Sequence, residues 1–270
     1  MIIKANEEYT KLVIGIFTLL NGLGYNDENR TRGMSPERIW VRKLISKNDW
    51  AKKYPALGEA RKCDPYWLLF GIARLKEKNA FHKKFLENFK EFLKEPLVKK
   101  TQETLGRKSA KELDKILPDL QNEYSKIQKL LHINPKIKTI YITLNPLDAY
   151  WRGYCPIVNK TMFITIGPGE KNKIIEVFRH ELLHLFAPYF NVSAKIDFSH
   201  KKNMALEKLG YKGKKILNNE YAVRGLSLIY EKRVQKKNID KKILSEERIF
   251  PDIKGVINLL EKRISKYNIT

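Results

Sequence analysis

The feature that most constrains this chain is the pentapeptide HELLH at residues 180–184. Its two histidines stand four residues apart, so they share one face only if the segment is an α-helix. On that face His180 and His184 can both bind one Zn²⁺, and the adjacent Glu181 can act on a water molecule at the metal. The motif therefore predicts a helix, a metal site and a candidate general base within five residues.

The composition is typical of a folded protein with a strongly basic surface. Its 270 residues are 43% hydrophobic and 11% aromatic, which excludes a disordered chain and allows one large domain or two small ones. Lys and Arg number 53 against 30 Asp and Glu, giving a net charge of +23 that would attract polyanions. The basic residues are scattered through every segment, so a solvated basic surface explains them better than a dedicated nucleic-acid site.

Two cysteines and one short apolar run bear on the compartment. Cys63 and Cys155 cannot build a disulfide framework, which favours a reducing compartment. The run from Leu12 to Leu20 is too short to span a membrane, and it follows Glu7 and Glu8 rather than a basic start. We expect a cytoplasmic protein without membrane contact, in which this run forms an amphipathic or buried helix; a weak export signal is the alternative.

Helical signals dominate residues 1–134, which we interpret as a helical region that walls the substrate cleft. Capping residues followed by Pro mark two helix starts, and an aromatic stripe at helical spacing before Pro96 predicts a buried face. Farther along, Pro118 predicts a break or a kink. The expected helices cover residues 7–20, a segment from Ser35-Pro36, a segment from Asp64-Pro65 to Pro96, and residues 105–131.

Residues 135–270 differ from the first region in their residue pattern. We interpret them as the catalytic region, which is either a separate domain or continuous with the helical region. Stretches of β-branched and aromatic residues in rough alternation predict short strands ahead of the HELLH helix. We therefore predict an α+β fold, mainly helical, with a small antiparallel sheet of about three strands. The expected strands are 137–144, 150–158 and 161–166, and the expected helices are 171–186, 214–236 and 252–267.

The order of strand, turn and HELLH helix resembles the zincin metallopeptidases. In that family an edge strand lies along the substrate cleft, which implies that Thr161 to Ile166 pairs with an extended peptide. The metzincin branch is excluded, because Ala187 and Phe190 stand where its glycine and third histidine are required. The later helices look instead like a little-studied family of predicted gluzincins, in which a Glu on the next helix completes the site.

A catalytic zinc site with two histidines and a water needs a third protein ligand. The gluzincin resemblance implies Glu220, although its separation from His184 is longer than in thermolysin-like enzymes. The Asp that those enzymes carry four residues after the Glu is also replaced, by Arg224. Other residues that could supply the third ligand are His200, Asp197, Glu207 and Glu231.

Arg224 has three possible roles at this position. It can hydrogen-bond the ligand carboxylate, bind the substrate, or simply form an intrahelical pair with Glu220. A peptidase of this kind also needs a Tyr or Arg that stabilises the oxyanion. The candidates for that role are Arg224, Tyr221, Tyr230 and Tyr211.

Together these residues predict a zinc-dependent metallopeptidase in which Glu181 is the general base. Its substrate would be a peptide or protein, and the basic surface favours acidic ones. One alternative is a basic nucleic-acid-associated protein with a structural zinc site, or a protease that acts on nucleic-acid-bound proteins. Two others are hydrolysis of a formyl amide, as in peptide deformylase, and a latent protease whose N-terminal helices act as a lid.

Overall fold

The computed structural model describes residues 1–27, 32–46, 48–58, 60, 64–74, 80–208, 211 and 213–267. Cys63 lies outside these residues, as does the side chain of Glu207. The chain divides into two compact units, one of residues 1–120 and 136–178 and the other of residues 121–135 and 179–270. These units do not follow the expected boundary at residue 134, because the sheet belongs with the N-terminal helices.

Helices make up most of the described chain, which confirms the mainly helical α+β class. The strands are β1 (Ile2–Ala5), β2 (Thr139–Leu144), β3 (Gly153–Tyr154), β4 (Ile157–Val158) and β5 (Thr161–Ile166). The helices are α1 (Glu7–Gly22), α2 (Pro36–Ile45), α3 (Trp50–Lys53), α4 (Pro55–Gly58), α5 (Pro65–Arg74), α6 (Ala80–Phe92), α7 (Pro96–Leu131), α8 (Lys171–Leu183), α9 (Lys201–Lys208), α10 (Lys214–Arg233), α11 (Asp240–Glu247) and α12 (Ile253–Tyr267).

The sheet of the first unit is mixed rather than antiparallel, and five strands of it are described. β1 pairs in parallel with β2, and β2 pairs in parallel with β5 from Thr139 opposite Thr161 to Leu144 opposite Ile166. Parallel neighbours need a long crossover, here the helices between β1 and β2, so no local turn signal announces the pairing. This is why the sequence predicted neither β1 nor the parallel arrangement.

β5 lies inside the sheet, with partners on both of its sides. β2 pairs along its whole length, while β3 pairs with Thr165 and Ile166 and β4 pairs with Thr161 and Met162 on the other side. The backbone N–H of Phe163 also donates to the carbonyl of Pro156 at 2.9 Å. The expectation that Thr161 to Ile166 is an edge strand open to a peptide is therefore wrong, because its ladder groups are already used.

The first unit packs around α1, which the predicted apolar run forms. Asn6 caps this helix by accepting from the Tyr9 N–H at 2.9 Å, and residues 13–20 are all buried. The aromatic stripe of α6 is core as expected, since Phe85, Phe89 and Phe92 are buried. α7 runs unbroken from Pro96 to Leu131, so the break expected at Pro118 does not occur. None of the helices in the described ranges has the length and apolar content needed to cross a membrane.

The second unit packs α10 against α12, and a glycine sets how closely they approach. A Cβ on Gly225 would lie 2.6 Å from Leu260 Cδ1 and 3.2 Å from Val256 Cγ1. A buried ion pair links the start of the HELLH segment to the end of α7, with Arg179 Nε 2.5 Å from Glu123 Oε1. These contacts fix the two helices that carry the predicted metal ligands.

Candidate metal centre

The HELLH segment closes α8 and continues into a tightened turn. The helix ends at Leu183 rather than Phe186, and the N–H groups of residues 184–186 donate to carbonyls three residues earlier, at 2.9 to 3.3 Å. Leu182 is buried on the face opposite the two histidines. The His180 and His184 rings lie with their centroids 5.2 Å apart. The structure therefore brings the two rings together as the motif predicts.

Glu220 reaches both rings from α10. Its Oε1 lies 3.7 Å from His180 Nε2, and its Oε2 lies 3.8 Å from His184 Nε2. One ligand atom from each of the three residues lies within 4.8 Å of the others. Two donors held about 2.1 Å from a tetrahedral Zn²⁺ are about 3.4 Å apart, so the two distances from Glu220 to the histidines need to contract by only a few tenths of an ångström. The three residues fit a divalent ion.

The second nitrogen of His184 is held by a neighbour of Glu220. His184 Nδ1 lies 2.5 Å from the Asn219 side-chain oxygen, an acceptor that requires the proton on Nδ1. In the neutral ring this leaves Nε2, which lies 3.8 Å from Glu220 Oε2, without a proton, and that is the form of imidazole that binds a metal. Asn219 was not identified in the sequence, where an Asn beside a Glu carries no distinguishing pattern.

The charges around Glu220 keep this carboxylate ionised. Its side chain is buried, which alone would raise its pKa, but the neighbouring imidazoles and the Arg224 guanidinium outweigh burial and lower that pKa. Desolvation lowers the pKa of His180, so its ring favours the neutral form. A buried carboxylate facing two imidazoles, at least one of which favours the neutral form, suits metal binding better than a simple ion pair.

Arg224 lies one turn after Glu220 on α10 and contacts its carboxylate. Its Nε donates to Glu220 Oε1 at 2.8 Å, and its Nη1 donates to Glu246 Oε2 at 2.9 Å. Its guanidinium also lies 4.2 Å from the Phe250 ring centroid. The contact with Glu220 is the intrahelical pair considered above, and the same hydrogen bond would orient the carboxylate if Glu220 is a ligand. Glu246 was missed because α11, which carries it, was not predicted at all.

Glu181 occupies the position expected of a base on this helix. It is only 7% exposed, and one of its carboxylate oxygens lies within 4.8 Å of a ring nitrogen of His184. The carboxylate is thus next to the ligand cluster without belonging to the trio that Glu220 completes. Proton transfer between Glu181 and a group at the cluster needs only one intervening water.

The other proposed ligands have different partners. His200 Nδ1 accepts from the Lys202 N–H at 3.1 Å on the surface. The Asp197 carboxylate accepts from the Ser199 N–H at 2.9 Å in a local turn. Glu231 Oε2 lies 2.5 Å from Lys242 Nζ. The contacts of these three residues are local or ionic, whereas those of Glu220 converge on both histidines.

Among the tyrosines proposed to stabilise an oxyanion, Tyr221 is used elsewhere. It is fully buried; its hydroxyl donates to Asn203 Oδ1 at 2.7 Å and accepts from the Asp252 N–H at 3.4 Å. Although it adjoins Glu220 in sequence, this side chain links α10 to α9 and to the residue that precedes α12. The geometry therefore argues against Tyr221 as a catalytic residue.

The two remaining tyrosines differ in their surroundings. Tyr230 is fully buried, and the Arg179 guanidinium lies 4.6 Å from the centroid of the Tyr230 ring. Tyr211 packs on the Phe250 ring, 5.9 Å between centroids, and this is the ring that Arg224 covers. Tyr221 packs on the same ring, 5.2 Å between centroids, so this contact does not distinguish Tyr211 from Tyr221.

Comparison of the chain with protein-family models, with curated proteins and with solved structures finds no match. The function therefore has to be inferred from the site itself.

Proposed function

We propose that this protein is a zinc-dependent metallopeptidase of the gluzincin type. The observation that carries the proposal is the convergence of His180, His184 and Glu220 from two helices, at separations that suit one tetrahedral ion. The hydrogen bond from His184 to Asn219 supports it, because a metal-binding His commonly donates its second N–H to an acceptor of this kind.

Each residue then has a defined task in peptide hydrolysis. When bound, zinc supplies Lewis-acid chemistry and makes water more acidic. Glu181 takes a proton from the attacking water and returns it to the departing amine as the C–N bond breaks. Arg224 holds Glu220 in place, and its charge keeps that carboxylate ionised.

We further propose that the substrates are peptides or unfolded proteins, with acidic ones favoured. The net charge of +23 supports this preference, because long-range attraction raises the rate at which anionic chains meet the protein. The rate advantage of acidic substrates should therefore fall as salt rises, and an advantage unaffected by salt would remove this part of the proposal. The low cysteine content supports a site of action in the cytoplasm.

The decisive experiment compares two glutamine variants of α8. Glu181→Gln should retain one zinc per chain but lose at least about a hundredfold in the rate of digestion of an unfolded protein. Glu176→Gln is the matched control, because Glu176 is on the same helix and pairs at 2.7 Å with the exposed Lys173. Cleavage by Glu181→Gln at the wild-type rate, or purified protein that binds no zinc, would refute the proposal.

A further inference from the structure

A cavity of about 230 Å³ opens beside His180, within the second unit. α10 contributes Arg224, Ser227, Leu228 and Glu231 to its lining, and α11 contributes Lys242, Ser245 and Glu246. A water molecule in the liquid takes about 30 Å³, so the cavity has the volume of about eight waters. It can hold a large side chain that enters next to the ligand cluster.

The charged groups of this cavity are already paired with each other. Lys242 Nζ lies 2.5 Å from Glu231 Oε2, and Arg224 Nη1 lies 2.9 Å from Glu246 Oε2. Two acids and two bases give the four residues no net charge. Arg224 also donates to Glu220, whose charge a bound zinc ion would offset. A charged side chain entering the zinc-loaded site would then lose its hydration and meet no uncompensated opposite charge, which is unfavourable.

The same pairs still offer hydrogen bonds to an incoming group. In each pair the acid uses one of its two oxygens, and Lys242 uses one of its three N–H groups. The hydroxyls of Ser227 and Ser245 add donors and acceptors. The cavity wall therefore presents both kinds of hydrogen-bonding group, which an apolar side chain would leave unsatisfied.

We propose that this cavity is a substrate subsite that selects an uncharged polar side chain, with the primary amide of Gln or Asn as its best occupant. The amide oxygen can accept from Lys242 or Arg224, while the amide N–H groups donate to the carboxylate oxygens opposite. The inference rests on the proposed peptidase function, since it assigns the cavity to the same substrate.

The test measures binding rather than turnover. Fluorescent peptides of sequence Ala-Ala-X-Ala-Ala, with X as Gln, Asn, Glu, Lys or Leu, are titrated into the zinc-loaded full-length Glu181→Gln variant and followed by anisotropy. The Gln and Asn peptides should bind at least about tenfold more tightly than the other three. Equal affinities, tightest binding of the Glu, Lys or Leu peptide, or no binding of any peptide would overturn the subsite.

A charge variant sharpens the result. Lys242→Gln leaves the Glu231 carboxylate without its ammonium partner, so the preference should move from the Gln peptide to the Lys peptide while zinc content stays the same. Lys232→Gln is the matched control, because Lys232, on α10, is also a lysine paired with a glutamate, but its partner Glu261 lies outside the cavity. A Lys242→Gln chain with the wild-type order of affinities would contradict the assignment.

The two proposals can fail separately. If the Gln peptide binds preferentially but the wild-type chain cleaves no peptide, the subsite stands and the peptidase function fails. If the wild-type chain cleaves all five peptides and binding shows no preference, the peptidase function stands and the subsite fails.

Discussion

Two arginines, Arg38 in the first unit and Arg224 in the second, use their guanidinium groups in different ways. Arg38 is fully buried and donates to the Asn21 side-chain oxygen at 2.8 Å and to the backbone carbonyls of Tyr25 and Asp27 at 2.6 and 2.5 Å. These three acceptors are neutral. The hydrogen bonds of Arg38 therefore fasten the segment after α1 to α2, which is a structural task.

Arg224 instead donates to two carboxylates, and one of them faces the histidine pair. Its side chain is also 24% exposed and borders the cavity. An arginine bound to neutral oxygens holds the chain together, whereas one bound to a ligand carboxylate sets the charge and direction of a site. The two arginines should therefore respond to the same substitution in different measurements.

The largest effect is expected for Arg38→Met. The change removes three hydrogen bonds from a charged donor, at about 1.5 kcal/mol each; Arg42 continues to donate to the Asn21 side-chain oxygen and to the Tyr25 carbonyl, so the free energy of unfolding should fall by about 3 to 4 kcal/mol. Urea denaturation of the zinc-free chain measures this loss. Zinc affinity of the folded variant should stay within about twofold of wild type, and a larger change would break the distinction between the two arginines.

A pair of buried carboxylates gives a second contrast. Burial raises the pKa of Asp148 in the first unit to about 6, although its Oδ1 accepts from the Tyr25 hydroxyl at 2.9 Å and from the Ala149 N–H at 2.7 Å. Glu220, which is also buried, has a lowered pKa because its electrostatic interactions with His180, Arg224 and His184 outweigh burial. Burial alone thus does not decide the direction of a pKa shift.

Asp148→Asn tests this second contrast. Because the pKa of Asp148 is higher in the folded state, its stabilising contribution is complete below about pH 4 and is lost as the pH rises through about 6. The loss amounts to about 3 kcal/mol, so the Asn variant should exceed wild type in unfolding free energy by up to that amount at pH 8 and match it near pH 4. Asp119→Asn, at a more exposed carboxylate paired with Lys171, is the control. A stability difference that is independent of pH would contradict this account.

The sequence predicted what depends on local spacing and missed what depends on distant contacts. The helix from Glu7, the Ser35 cap, the strand from Thr161 and the pairing of His180 with His184 all follow from residues a few positions apart. Their physical causes, capping, alternation and helical periodicity, act within one or two turns. These features needed no knowledge of the rest of the fold.

Long-range contacts could not be predicted in the same way. β1 has only four residues, and it is a strand because it pairs with β2, more than a hundred positions away. Glu220 was expected from a family resemblance and not from spacing, and Asn219 and Glu246 acquire their roles only when α10 and α11 pack beside the histidines. No residue of α11 is buried, which explains why the sequence of this helix lacks a clear apolar stripe.

Arg224→Met should affect metal binding more than folding. Loss of the guanidinium removes the hydrogen bond that orients Glu220, so zinc affinity should fall about 10- to 100-fold in competition with a chromogenic chelator. Arg233→Met, in the last turn of the same helix, should leave zinc affinity unchanged. If Arg224→Met instead kept its zinc affinity and lost as much stability as Arg38→Met, both arginines would be structural.

The smallest effect separates two adjacent asparagines of α10. Asn219→Ala removes the acceptor of His184 Nδ1, so zinc affinity should fall about tenfold while the zinc-free chain keeps its stability within about 1 kcal/mol. Asn218→Ala removes an oxygen that accepts from the Val192 N–H at 3.1 Å, so it should lower stability by about 1 kcal/mol and spare zinc affinity. Asn219→Asp retains an acceptor for Nδ1 and should restore zinc binding. Only Asn219 of the two asparagines bonds His184, so a specific effect on zinc requires a larger loss in Asn219→Ala. Equal losses of zinc affinity in the two alanine variants would mean that Asn219 acts through general packing.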